Sequence, residues 1–390
     1  MKFQSVGSQY SFDNSLAHLS ARNNERHSSE LVAELERQFE GKAYLYANGR
    51  SALAAALQPL AKNGDSVAIN GFTCYVVQEA VKSVGATPIF LDVDLGTLNF
   101  PASQLESALQ AHPNLRAIVI QNTFGIACDI GAIESFARAH QLIIIEDLAH
   151  CVGLIYPDGR KAGMVGDVVM LSFGRDKLLD CVSGGALIVR SPELQTAITA
   201  PTHLPAQATQ HRDRWYPTLM WWARMLYPVG IGKVLMKLYQ STKLVVRTAD
   251  GSIDIQATMP SWQAGRALIR LKALPADILR RQKLGDIYHD HFPATLHESG
   301  APVRIPHVVK NRSLVFEALR HKGYYLDDTW YDTPIGPARL YGNLSYPEAS
   351  CPNAVAMARQ IINLPTHQAM TITDAERIAR IIQEVERESA

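Results

Sequence analysis

The sequence predicts an α/β fold, with a large domain built on a mostly parallel sheet flanked by helices and a smaller C-terminal α+β domain. Three observations carry that prediction. Six short apolar runs, Ser66–Asn70, Thr87–Asp92, Ala117–Gln121, Leu142–Glu146, Val168–Phe173 and Ala186–Arg190, have strand length and composition. The segments after most of them have helical spacing, as in Ile130–Gln141, where Ile133, Phe136 and Ala137 share one face. Strand-then-helix order implies parallel pairing with both faces of the sheet covered. Beyond Arg190 this alternation stops.

Along the chain, Asn48-Gly-Arg-Ser51 opens an alanine-rich helix at Ala52–Leu60, with Asn48 as its cap. Arg214–Lys243 is rich in Trp, Tyr, Leu and Met and reads as a helical hairpin packed on the large domain or on a partner chain; a surface that meets lipid is the alternative reading. Helical spacing returns from Met259–Leu271 through Tyr288. The large domain is therefore expected over residues 1–250 and the small one over 251–390. Asn363-Leu-Pro-Thr is expected to close a strand, and Asp374–Glu388 to form a terminal helix capped by Thr373.

Composition excludes several classes of function. With 390 residues, 47% of them hydrophobic, the chain can bury a large core. A formal net charge of +1 gives no electrostatic footprint for nucleic acid. Five cysteines without a C-x-x-C pair argue against a disulfide framework or a zinc ribbon and favour a reducing cytoplasm. The first residues lack the apolar run of a signal peptide, and no stretch has the length of a membrane span. No metal site is expected: His289 and His291, two apart on a helix, diverge toward the surface. Gly230-Ile-Gly-Lys233 lacks the spacing of a phosphate loop and reads as a turn.

The chemistry concentrates at the carboxyl ends of the strands, where open α/β sheets bind ligands. Lys177, just after the run ending at Phe173, is a candidate Schiff-base nucleophile and proton-transfer base for a pyridoxal phosphate cofactor. Asp147, ending another run, is the candidate partner that keeps a pyridine nitrogen protonated; Glu146 then points to the opposite face. His150 reads either as a hydrogen-bond partner of the ring hydroxyl or as filler beneath the sheet. Phosphate donors are expected from the helix start at Gly49, Arg50 and Ser51, with a hydroxyl from Ser172. Tyr75 is expected to stack on the cofactor ring, with Phe72 as its rival. Arg175 lies beside the lysine loop with no assigned role.

Several motifs in this order, Asn-Gly-Arg-Ser-Ala-Leu at 48–53, Gly85 to Asp94, Ile145-Glu-Asp-Leu-Ala-His150, Ser172-Phe-x-x-x-Lys177, Gly184-Gly185 and Leu364-Pro-Thr-His367, resemble the DegT/DnrJ/EryC1/StrS family of sugar aminotransferases. The resemblance implies a pyridoxal 5'-phosphate enzyme of fold type I and a homodimer with cofactor sites at the subunit interface. It also implies L-glutamate as amino donor and a nucleotide-linked ketosugar as acceptor. By position, Lys177 matches the Schiff-base lysine, Asp147 the ring-nitrogen partner, His150 the residue beside the ring hydroxyl, and Ser172 with the Gly49 and Arg50 amides the phosphate binders. Family members that dehydrate carry histidine at the lysine position, so Lys177 favours transamination. One departure stands out. The asparagine that the family sends to its partner's phosphate is absent from Gly251–Trp262, where Ser252 or Gln256 are the available substitutes. Two other readings stay open: the same chemistry on a cyclitol, a lipid-linked sugar or another non-nucleotide ketone, and a non-catalytic cofactor-binding regulator or accessory subunit.

Overall fold

In the computed structural model, which describes residues 1–388 except 294, 295, 297–299, 301 and 343, seven strands form one sheet. In chain order they are β1 (Lys42–Tyr46), β2 (Ser66–Asn70), β3 (Thr87–Leu91), β4 (Leu115–Ile120), β5 (Ile143–Asp147), β6 (Val168–Ser172) and β7 (Gly185–Val189). Their spatial order is β1-β7-β6-β5-β4-β2-β3. Pairing is parallel from β3 across to β6, whereas β7 runs against both of its neighbours. β1, which lies antiparallel to β7, therefore points the same way as the rest. Six strands thus end on one edge, and that edge carries Tyr46, Asp147 and Ser172.

Both faces of the sheet are covered. Ile144, Ile118 and Ile188 belong to one apolar core, and Ile145, Ala117 and Leu187 belong to the other, as the two-residue side-chain period requires. The first core takes Leu31, Leu35 and Phe39, which recur every fourth residue on the helix Glu25–Phe39. Leu31 and Leu35 are fully buried, so truncating either to Ala costs about 2–5 kcal/mol. The second core takes the helix Gly49–Leu57, buried on every side. Its alanines make that possible, because a helix can approach a strand layer closely only where side chains are small.

The helix Ser261–His291 joins two cores. Ala264, Ala267, Leu271 and Leu274 pack with the sheet, while Leu284 and Tyr288 pack with the antiparallel pair β8 (Arg304–Val308) and β9 (Ile361–Pro365) and the helices Arg312–His321 and Ile372–Glu388. The N-terminal arm reaches this second unit: Lys2–Phe3 pairs in parallel with Tyr324–Tyr325, and the Phe3 carbonyl meets His367 Nε2 at 2.7 Å.

Two boundaries differ from expectation. The terminal helix begins at Ile372, and its cap is Thr371 rather than Thr373: Thr371 Oγ1 accepts from the Asp374 amide while Asp374 Oδ2 accepts from the Thr371 amide. This reciprocal pair satisfies two donors where a cap at Thr373 would satisfy one. His289 and His291 are half-buried rather than at the surface, His291 Nδ1 lying 3.3 Å from Gln383 Oε1. Arg214–Lys243 does form a helical hairpin, Gln207–Met225 and Ile231–Ser241, packed on the helix Phe12–Leu19. Among the described residues no helix is long and apolar enough to cross a membrane.

Candidate active site

The edge of the sheet builds the site from three strand ends. Gly185 pairs with Tyr46 on one side and Ser172 on the other, which sets the end of β1 beside the end of β6. Asn48 follows β1 and caps the helix Gly49–Leu57, its Oδ1 accepting from the Ser51 amide at 2.9 Å. The amides of Gly49 and Arg50, in the first turn, have no intrahelical acceptor. Gly49 lies against Ser172: a Cβ there would stand 3.0 Å from both Cβ and Oγ of the serine. A helix start and a hydroxyl thus meet at one point, in a cradle that a larger residue would fill.

Asp147 ends β5 on the face opposite Glu146. The Glu146 carboxylate is consumed structurally, accepting from the amides of Gly163, Val165 and Gly166 and from the Tyr156 hydroxyl. Asp147 is buried, and the Ala149 amide donates to its Oδ1 at 2.9 Å. Burial raises its pKa to about 6, against the opposing pull of that amide and of Lys177. Lys177 is half-buried, and desolvation lowers its pKa, with Cys74 and Asp147 pulling the other way. Each group is thus pushed toward its neutral form in the absence of a better partner. Asp176, beside the lysine, is pushed up to about 7, again chiefly by burial.

An aromatic wall from distant segments closes around Lys177. Its Nζ stands 4.2 Å from the centroid of Trp330, over which Arg304 also lies, at 4.0 Å. His150 stacks on Trp330 with centroids 4.8 Å apart and planes 19° apart, and packs against Phe124. Its Nδ1 accepts from the Phe124 amide at 3.3 Å, so Nε2 carries the proton toward the Tyr331 hydroxyl at 3.2 Å. Burial holds its pKa well below the usual imidazole range, with Lys177 and Arg304 adding to the shift, so the ring is neutral. The Nη2 of Arg304 is buried without a hydrogen bond and has Asp328 Oδ2 at 3.9 Å.

These residues fit a pyridoxal phosphate. An anion cradle, a half-buried amine and a buried carboxylate still lacking a cationic partner stand at one sheet edge. A protonated ring nitrogen would supply that partner and draw the Asp147 pKa back down. A family model for DegT/DnrJ/EryC1/StrS aminotransferases matches residues 20–383. The chain belongs to the DegT/DnrJ/EryC1/StrS aminotransferase family. It is 25% identical over 338 residues to the spore coat polysaccharide biosynthesis protein SpsC of Bacillus subtilis, covering 83% of this chain and 79% of that one. It is 34% identical over 174 residues to the UDP-2-acetamido-2-deoxy-3-oxo-D-glucuronate aminotransferase of Pseudomonas aeruginosa, a match spanning 43% of this chain and 48% of that enzyme. The fold is shared with Spr1654 of Streptococcus pneumoniae in its PLP form, at a TM-score of 0.73 and 18% identity, covering 100% of this chain and 99% of that one. This family member is a pyridoxal 5'-phosphate-dependent aminotransferase of fold type I.

The remaining residues singled out in the sequence fall into place around this centre. The Arg50 guanidinium turns to the carbonyls of Thr248, Ala249 and Gly251 and to Glu79, so only its amide is left to serve an anion. Ser51 gives its amide to Asn48, while its hydroxyl accepts from the Asp254 amide at 3.0 Å. Phe72 is fully buried against Tyr331, 5.1 Å away, as core. Tyr75 stands half-buried in the first turn of the helix Tyr75–Ser83, near Arg50. Its neighbour Cys74, a thiol whose pKa burial pushes up, lies within electrostatic reach of Lys177. Gln256 is engaged by Thr202 and His203, and the Ser252 carbonyl accepts from Asn48 Nδ2 at 3.4 Å. Arg175 is held by the Val246 carbonyl and stacks on Tyr216. Cys74, Phe124, Arg304, Trp330 and Tyr331 were not singled out in the sequence. The dipeptide Trp330-Tyr331, in an otherwise polar stretch ahead of Pro334, is the one local signal that pointed there.

Proposed function

We propose that this aminotransferase moves the amino group of an amino acid, L-glutamate, to the keto carbon of a nucleotide-activated sugar, acting as a cytoplasmic homodimer in polysaccharide or secondary-metabolite biosynthesis. The observation that carries the reading is the placement of a half-buried Lys177 and a buried Asp147 at one sheet edge, each shifted toward neutrality by desolvation. The sugar class is supported by the Pseudomonas relative, whose name specifies a UDP-linked oxo-sugar.

Bound pyridoxal 5'-phosphate supplies an aldehyde that captures amines and a protonated ring that takes up electron density from the substrate carbon. Lys177 would anchor that group and, once displaced by the incoming amine, would be the base that takes the proton from the substrate carbon. Its lowered pKa serves both tasks, because a neutral amine is the nucleophile and the base. Asp147 would hold the ring-nitrogen proton, His150, with its neutral imidazole, would serve the ring hydroxyl, and Tyr75 would cover the ring face. The amides of Gly49 and Arg50 with the Ser172 hydroxyl would take the phosphate, the Ser51 amide being held by Asn48. The buried, unfilled Nη2 of Arg304 suits the carboxylate of the donor amino acid.

The test is reconstitution with pyridoxal phosphate followed by L-glutamate and a panel of nucleotide ketosugars. Release of 2-oxoglutarate together with an aminosugar nucleotide is expected. Failure of every acceptor while 2-oxoglutarate still forms would remove the sugar, and no 2-oxoglutarate at all would remove glutamate.

A further inference from the structure

The hairpin formed by Gln207–Met225 and Ile231–Ser241 exposes an apolar ridge that the active site does not use. On the first helix Trp215 and Trp222, 51% and 48% exposed, stand two turns apart on one stripe with Met225. Val229, 68% exposed, tips the connecting turn. On the second helix Ile231, Val234 and Leu238 form another exposed stripe, flanked by Lys233 and Lys237. Phe12 extends the ridge: its ring lies 5.1 Å from Trp221, which lies 4.9 Å from Trp222.

Charge on this segment is one-sided. Between Gln207 and Arg247 there are seven Lys and Arg residues and one acid, in a chain whose net charge is only +1. That acid, Asp213, is buried and taken by the Ser183 hydroxyl. An apolar ridge bearing tryptophans and rimmed by lysines, with no exposed acid between Gln207 and Arg247 and only Asp13 and Asp327 exposed near its ends, is the chemistry of a helix lying in a lipid headgroup layer. A second copy of the chain suits it poorly, because a two-fold contact sets the patch against itself and gathers cations without counter-charges. The second helix, with 11 residues, is too short to span a bilayer.

We propose that this hairpin seats the protein peripherally on an anionic phospholipid surface. The proposal is independent of which acceptor is aminated, and its test reads lipid rather than turnover. Full-length holoprotein is sedimented with vesicles of phosphatidylcholine mixed with phosphatidylglycerol, and with vesicles of phosphatidylcholine alone, in low and high salt. Binding to the anionic vesicles only is expected, weakened by salt and accompanied by a blue shift of tryptophan emission.

Each lysine near a charged surface is worth about fivefold in partitioning, so Lys233→Gln, Lys237→Gln and Lys243→Gln together lower it on the order of a hundredfold. The double variant Val229→Ser, Val234→Ser removes the blue shift. Both variants retain melting temperature and aminotransferase turnover, since all five positions are exposed. Absence of binding to anionic vesicles, or equal binding to phosphatidylcholine alone, overturns the proposal. So does a lipid-free dimer that falls apart in the valine variant, which would make the ridge a contact between copies.

Discussion

Gly49 and Ser172 touch across the end of the sheet, with no space between them for a methyl group. The contact brings a helix start on one strand end to a hydroxyl on another, and an anion fits only while position 49 has no side chain. Gly49→Ala is therefore expected to weaken pyridoxal phosphate binding about 10- to 100-fold, the worth of one charge-assisted hydrogen bond. Titration of the apoprotein with cofactor measures this. The melting temperature of the apoprotein should fall only modestly, because Ser172 must give by a few tenths of an ångström to admit the methyl while the non-positive φ and the helix preference of Ala offset part of that cost.

Asp147 gives a pH prediction with a definite sign. Burial raises its pKa from 3.8 to about 6, so between those values the folded chain holds more protons than the unfolded one. Its contribution to stability is therefore full below pH 3.8 and is lost as pH rises through 6. The loss for the cofactor-free protein is on the order of 3 kcal/mol. Apo Asp147→Asn should melt above apo wild type at pH 7, with the difference closing toward pH 4. Turnover of the holoenzyme should fall at least about a hundredfold, because the ring nitrogen loses its counter-ion. Equal melting at pH 7 would show that the carboxylate already has a cationic partner.

Lys177 is predicted to behave in the opposite sense. Its pKa is lowered by burial, so the folded chain holds fewer protons than the unfolded one between that value and 10.5. Stability of the apoprotein should then rise with pH through that window, and Lys177→Met should be the more stable protein at pH 7 by a margin that narrows in alkali. Borohydride treatment of the holoprotein should fix the cofactor to the peptide containing Lys177, and turnover should vanish in the variant. Label on any other lysine would displace the assignment.

The sheet was legible and the aromatic wall was not. Six of the seven strands were visible because each is a short apolar run between helix-period segments. The seventh, Lys42–Tyr46, was missed because Ala-Tyr-Leu-Tyr is buried on both faces, shows no alternation and follows directly on a helix. Strand ends are local in sequence, which is why Asp147 and Lys177 could be assigned chemistry from it. Trp330 and Arg304 come from loops and strands more than a hundred residues away and reach Lys177 only through the packing of the C-terminal unit. Periodicity carries no information about such contacts. Thr373 is the wrong cap for a plainer reason: both threonines lie shortly before Asp374, and only Thr371 stands three residues ahead of it, the spacing that lets the two bond reciprocally.

Trp330 carries the last prediction. Its ring face lies 4.2 Å from Lys177 Nζ, inside the range where the ring quadrupole stabilises an ammonium, and in a desolvated site that attraction is worth about 2 kcal/mol. Trp330→Leu keeps an apolar side chain of substantial volume but removes the quadrupole and the stacking surface of His150. The Lys177 pKa should then fall further, on the order of one unit. Capture of pyridoxal phosphate by the apoprotein needs the neutral amine, so the pH at which its rate is half-maximal should move down by about that amount in Trp330→Leu. Trp330→Phe, which keeps a weaker ring face, should lie between. An unchanged profile in both variants would mean that the ring supports His150 and Arg304 alone and leaves the lysine to Cys74 and Asp147.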